Sequence, residues 1–331
     1  MSSYTKIHDH RLDYIRTLAT LMIIMVHTWS LANIPTRQYP ILYDCYHIVC
    51  DCGVPLFVMI SGALLLGGNP ISVKSFFRKR YTRLFIPFII WATIAYLLSI
   101  LVGLYPIRSI NSAIINFIPY LLENKVNCAY WYVPMIAMLY LITPILNSAL
   151  QRTSRRTIEG YLCLGVALII LKDIWSDIYV IRFTSELLPY LEYYTLGYYA
   201  YNYFQKKNKY SILASCSIFL ISAICYSYAF ASPVGCKVLM VMGLFICLLM
   251  LPNREHPCIK IVSRCSYTIY LMHFMLIKPI YLTLHFNGAN YSPLMCGIVT
   301  CGTAVAILII CTFFCLVSKR ILSKSNWLGI A

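Results

Sequence analysis

Acidic side chains are scarce in this chain: 11 Asp and Glu stand against 27 Lys and Arg in 331 residues, and charge of either sign makes up only 11%. Soluble domains carry about 25% charged residues, so a water-bathed surface is excluded for most of the chain. Also missing are a linker rich in Pro, Ser and Gly and any long polar insertion. The longest polar gaps, near 67–83 and 105–127, are too short for a separate domain. One domain over 1–331 is therefore expected. No internal repeat of fixed period is visible, which speaks against an inverted-repeat transporter. The first apolar run is longer than a signal-peptide core and no small-residue cleavage site follows it, so it is expected to stay as a helix.

What is present is apolar: 60% of the chain is hydrophobic. Stretches near the ~20 residues needed to cross a bilayer recur throughout, and helices satisfy their own backbone in lipid. The expected fold class is all-α, a polytopic transmembrane helix bundle of about ten spans, at 14–33, 45–66, 84–104, 129–149, 158–174, 186–204, 210–230, 234–252, 266–286 and 292–317. The stretch "INSAIINFIP" reads as a short interfacial helix. With the N-terminus inside, 20 of the 27 basic residues fall on the cytoplasmic side. Arg37, Arg108, Lys125, Lys172, Arg182, Lys237 and Lys278 fall outside. That bias predicts cytoplasmic N- and C-termini. The formal charge of +16 is then a topology signal rather than a nucleic-acid footprint, and no nucleic-acid partner is expected.

Fifteen cysteines suggest a disulfide or metal framework until they are placed. Most fall inside the apolar runs, where Cys behaves as a small hydrophobe. In "CYHIVCDC" a helix would put Cys45 and Cys52 on one face with His47 and Cys50 elsewhere, a poor ligand set, so no metal is expected.

Ionisable residues inside apolar runs are the candidates for chemistry, because at bilayer depth they are costly unless paired or lining a cavity. Arg16 and His27 lie in the first run, eleven positions apart, which returns to the same helix face about 17 Å further along. A neutral imidazole there is either a general base or an interhelical hydrogen-bonding group. Arg80 and Arg83, three apart among Lys74, Arg78 and Lys79, are either topology and lipid contacts or a guanidinium pair for phosphate. In "GVPLFVMISGALL" Pro55 interrupts the second span, and Ser61 and Gly62 permit close helix approach. Asp51, one turn before Pro55, can orient an imidazole or sit solvated. Tyr267, Tyr270 and His273, at i, i+3 and i+6, form a polar stripe in "SYTIYLMHF". Glu192, among many tyrosines, and Trp131 suit a sugar-binding wall as well as an aromatic belt.

Six pieces in order, "RLDYIRTLATLMIIMVH", "GVPLFVMISGALL", "RKRYTRLFIPF", "WYVPMIAMLYLITPIL", "LGYYAYNYF" and "SYTIYLMHF", resemble the acyltransferase-3 family of bacterial integral-membrane O-acyltransferases over nearly the whole chain. Size and layout are similar to members that acetylate enterobacterial common antigen and O-antigen. The resemblance implies a multi-pass protein of the bacterial cytoplasmic (inner) membrane. It implies acetyl-CoA as acyl donor and a hydroxyl of a cell-surface polysaccharide, or its lipid-linked precursor, as acceptor. It identifies His27 as the essential first-helix histidine, Arg16 as the first-helix arginine and Arg80 with Arg83 as the cofactor-binding motif, with Asp13 in support. Ser61 and Gly62 match the small-residue motif, but Ala63 stands where an aromatic usually follows. A last-span carboxylate carried by some members is absent, so His27 is expected to find another partner or none. With no hydrolase-like domain after the last run, the chemistry is expected within the bundle. The alternative reading is a transporter or flippase of a glycan precursor or short-chain acid, using the same residues as a polar pathway.

Overall fold

The computed structural model describes residues 8–35, 40–68, 72–105, 109–174, 187–204, 209–227, 233–321 and 328–329. All regular structure there is helical. Twelve α-helices run α1 His10–Leu31, α2 Pro40–Cys50, α3 Gly53–Leu65, α4 Val73–Leu101, α5 Ile110–Leu122, α6 Tyr132–Arg152, α7 Arg155–Ile174, α8 Leu188–Tyr203, α9 Lys209–Ser227, α10 Pro233–Leu249, α11 Pro257–Thr283 and α12 Pro293–Ile321. Short 3₁₀ turns cover Cys128–Trp131 and Gly288–Asn290. Among the described residues, six helical stretches are long and apolar enough to cross a membrane: His10–Leu31, Tyr46–Leu65, Val73–Leu101, Cys128–Arg152, Lys209–Ser227 and Pro293–Ile321. Lys6, Arg37, Arg108, Arg182, Lys206, Lys207 and Lys324, the Cys45 side chain, and the outer ends of the expected spans 186–204 and 210–230 lie outside the described residues.

Local chemistry sets the helix ends. Proline opens α2, α10, α11 and α12, at the one position where its missing N–H and fixed φ cost nothing. Asp9 caps α1, its carboxylate accepting the Arg11 backbone N–H at 3.0 Å. Ser109 and Ser112 cap α5 reciprocally. That helix buries none of its residues and exposes Ile110, Ile114, Ile118 and Leu122 at four-residue spacing, as an interfacial helix would.

The interruption expected at Pro55 is present: Asp51 and Cys52 form a turn between α2 and α3, inside the apolar stretch Tyr46–Leu65. The ring of Pro55 would clash with the Asp51 carbonyl in an unbroken helix, and Pro55 has no N–H to give it. The third span starts eleven residues early, at Val73, so Lys74 to Arg83 are helical rather than a loop.

The chain divides into two compact units, Met1–Ala19 with Asp51–Gly68 and Leu146–Ser263, and Thr20–Cys50 with Asn69–Ile145 and Arg264–Ala331. In the first, α3 packs on α8 and α10, α10 on α7 and α9, and α7 on α8. Leu56, Met59, Tyr194, Met240 and Phe245 are fully buried there. The α3/α8 crossing is close because a Cβ on Gly62 would overlap the Tyr194 carbonyl, and one on Gly197 would overlap the Met59 backbone. In the second unit Tyr281 of α11 donates to Thr28 O of α1 at 2.8 Å, and Tyr46 of α2 donates to Met25 O at 2.8 Å. There Tyr267 donates to Leu84 O of α4 at 2.7 Å and Trp91 to Leu328 O at 3.3 Å. Cys311 and Cys315 are buried as hydrophobes beside Ile307.

Candidate functional site

The second unit pairs two imidazoles. His27 of α1 and His273 of α11 have ring centroids 5.1 Å apart, with planes at 41°. The Phe274 ring stands edge-on to His27 at 5.4 Å. His273 is completely buried. Its Nδ1 lies 2.6 Å from Tyr270 O and 3.2 Å from Ile269 O. Carbonyls only accept, so Nδ1 carries the proton and Nε2 holds a lone pair. That Nε2 is buried and makes no hydrogen bond, an arrangement costly enough to call for an explanation. His27 keeps part of its surface accessible. The ring nearest His27 from another part of the sequence is this second imidazole, from a helix more than 240 positions away.

Around His273 the wall is aromatic. Tyr267 and Tyr270 stack at 13°, and Tyr132 meets Tyr270 edge-on at 5.4 Å. Tyr270 donates to Ala129 O, and Tyr130 donates to Leu271 O at 3.3 Å. The 3₁₀ turn that Asn127 caps through Ala129 N at 2.9 Å therefore docks directly on α11. Trp131 in that turn is 39% exposed, and it is the flanking Tyr130 and Tyr132 that meet α11. The sequence signal was the tyrosine on either side of the tryptophan; which of the three turns inward depends on the 3₁₀ geometry.

Arg80 and Arg83 sit in the first turns of α4. Arg80 is half-buried, its guanidinium 5.9 Å from the Phe76 ring centre, and Arg83 is exposed. Neither has an acidic partner among the described residues. Leu84, next to Arg83, is the residue whose carbonyl receives Tyr267, so the basic turn and the aromatic stripe of α11 are joined by a direct bond. Two planar forks three residues apart on one helix, with no carboxylate to neutralise them, fit phosphate oxygens.

The first unit holds the remaining candidates. Arg16 donates to Ser263 Oγ at 3.1 Å, and Ser263 passes its own proton to Asp13 Oδ1 at 2.6 Å. Arg16 also lies 3.9 Å from that carboxylate oxygen. Ser263 was not singled out from sequence, and its role needs α11 to pack on α1. Just before α1, burial alone would raise the Asp9 carboxyl, but the Arg11 guanidinium and backbone N–H bonded to it hold it below its ordinary range. Asp51 accepts from Tyr226 at 2.8 Å and from Lys237 at 3.2 Å, so an ammonium and a phenol are among its partners. Ser61 spends its hydroxyl proton on Phe57 O of its own helix at 2.9 Å. Glu192 is buried, its Oε1 makes no hydrogen bond, and its carboxyl occupies the space a side chain at Gly165 would need.

A family model described as an acyltransferase domain matches residues 9–317. Searches of the curated proteins and of the solved structures find no match.

Proposed function

Because the chain belongs to the acyltransferase-3 family, we propose that this membrane acyltransferase is an O-acetyltransferase moving an acetyl group from cytoplasmic acetyl-CoA to a hydroxyl of a surface glycan or its lipid-linked precursor. On this reading the chain is one domain with ten crossings and both termini in the cytoplasm of a bacterial cell, embedded in its cytoplasmic membrane.

The observation that carries the reading is the His27 and His273 pair. His27 is the accessible imidazole and acts as general base. His273, held by its Nδ1–H on Tyr270 O, keeps a lone pair aimed away from the backbone and positions the His27 ring. The acceptor hydroxyl gives its proton to His27 while its oxygen bonds to the acyl carbonyl carbon. The carbon–sulfur bond breaks, and the departing thiolate takes the proton. General-base assistance of this kind is worth about 10²–10⁴ in rate. Holding both reactants in one orientation supplies several kcal/mol more. In the second unit Arg80 and Arg83 take the donor's phosphates, and Tyr270 with the adjoining aromatic wall and Trp131 takes the acceptor sugar.

Purified protein supplied with labelled acetyl-CoA and a lipid-linked glycan should transfer the label, and His27→Ala should not, while eluting as a folded species of unchanged size. Label transfer undiminished in His27→Ala would reject the assignment. A transporter consumes no thioester, so absence of transfer in the parent protein with substrate movement across vesicles would favour that alternative.

A further inference from the structure

The end of the first unit that carries His8 brings three metal-ligating side chains together, outside every residue given a role in binding or base catalysis except Asp13. His8, His10 and Asp13 each present a ligand atom within 4.8 Å of the others. His8 Nε2 lies 2.6 Å from Asp13 Oδ2, and His10 Nδ1 lies 3.5 Å from the same oxygen. The two imidazoles stand edge-on with centroids 4.8 Å apart. Both nitrogens therefore converge on one carboxylate oxygen from different directions.

A second, independent observation concerns His10. Its Nδ1 is buried and makes no hydrogen bond, while its Nε2 faces the Glu255 carboxylate at 3.7 Å. Glu255 is in turn held by Lys260. A carboxylate behind the distal nitrogen and a bare lone pair in front is how metal-binding histidines are oriented. Asp13 is prepared likewise: its Oδ1 is occupied by Ser263 at 2.6 Å, leaving Oδ2 for the cluster. Its charge, in the first turn of α1, offsets the positive helix end that would otherwise repel a cation.

We propose that His8 Nε2, His10 Nδ1 and Asp13 Oδ2 form a binding site for a zinc-class divalent ion. Two imidazoles and one carboxylate suit such an ion rather than magnesium or calcium, which prefer all-oxygen shells. Metal bonds of ~2.0–2.1 Å place tetrahedral ligands about 3.3 Å apart. His10 and Asp13 are 3.5 Å apart, close to that spacing, and His8, whose side chain is 60% exposed, has the freedom to open its contact with Asp13 and to close on His10, the three ligand atoms now lying within 4.8 Å of one another. Water takes the fourth position. The ion would pin the segment before α1 to its first turn and, through Ser263, to α11, one turn from Arg16.

The test uses the full chain in detergent, stripped with a chelator under reducing conditions and titrated with ZnCl2 in the absence of any acyl donor, so its outcome is independent of the transferase reading. The expected result is one ion bound per chain, with a rise in Tm, and loss of both in the double variant His8→Gln, His10→Gln, whose side chains still donate and accept hydrogen bonds. Glu255→Gln should weaken binding about 10- to 100-fold. Co2+ in the same site should show ligand-field bands without a thiolate charge-transfer band, which separates it from binding to cysteines. Equal stoichiometry and Tm shift in the double variant, a thiolate signature for the ion, or no ion bound by the parent chain would each overturn the proposal.

Discussion

His27 and His273 carry the same ring in different surroundings. One is partly accessible and accepts no side-chain hydrogen bond among the described residues, and the other is sealed in with its Nδ1 proton committed to a carbonyl. On the proposed reading His27 is the base, so His27→Ala should lower kcat by about 10²–10⁴. His273→Ala should lower kcat by less and leave the donor KM unchanged, as measured by steady-state kinetics at saturating acceptor. Equal donor KM increases in both variants would instead mark a role in binding. Asp9 offers a test in acid. Its carboxyl is held below the ordinary 3.8 by Arg11, so its contribution to stability is complete above that value and is lost as pH falls through the lowered one. Asp9→Asn should flatten that part of the acid-denaturation curve, and an unchanged curve would show that other groups govern it.

At the scale of elements, the crossing of α3 and α8 depends on reciprocal glycines. Gly62 faces Tyr194 while Gly197 faces Met59, each glycine three positions from the residue its counterpart meets. Backbone atoms, unlike a flexible side-chain tip, cannot swing aside, so Gly62→Ala and Gly197→Ala should each destabilise by about 1–3 kcal/mol. Because both push the same pair of helices apart, the double variant should cost less than the sum. Thermal unfolding in one detergent checks both statements. The start of α4 behaves differently, since Arg80 and Arg83 are helical and have no acidic partner among the described residues. Arg80→Ala and Arg83→Ala should raise the donor KM about tenfold or more, the worth of a charge-assisted hydrogen bond, with kcat retained and Tm unchanged.

For the whole molecule, the distribution of basic residues makes a prediction about sidedness. Cys128 and Cys258 are both exposed; the ten-span reading puts the first outside the cell and the second in the cytoplasm. A membrane-impermeant maleimide applied to intact spheroplasts should modify Cys128 and spare Cys258 until the membrane is opened, as peptide mass mapping would show. The reverse pattern would invert the topology and place the arginines of α4 on the wrong side for a cytoplasmic donor.

Much of this architecture was legible from composition alone. Long apolar runs with few charges leave the backbone no alternative to helices, so the positions of α1, α6, α9 and α12 follow within a few residues, as does the short helix from "INSAIINFIP". Arg16, His27 and His273 stood out because charge or imidazole at such depth is costly. Tertiary structure decided what those residues meet. No local pattern could show that His273 meets His27, that Ser263 joins Arg16 to Asp13, or that Asp51 is taken by Lys237 and Tyr226. Such contacts depend on which helix faces pack together, and packing is a property of pairs of elements far apart in the chain rather than of any one stretch of it.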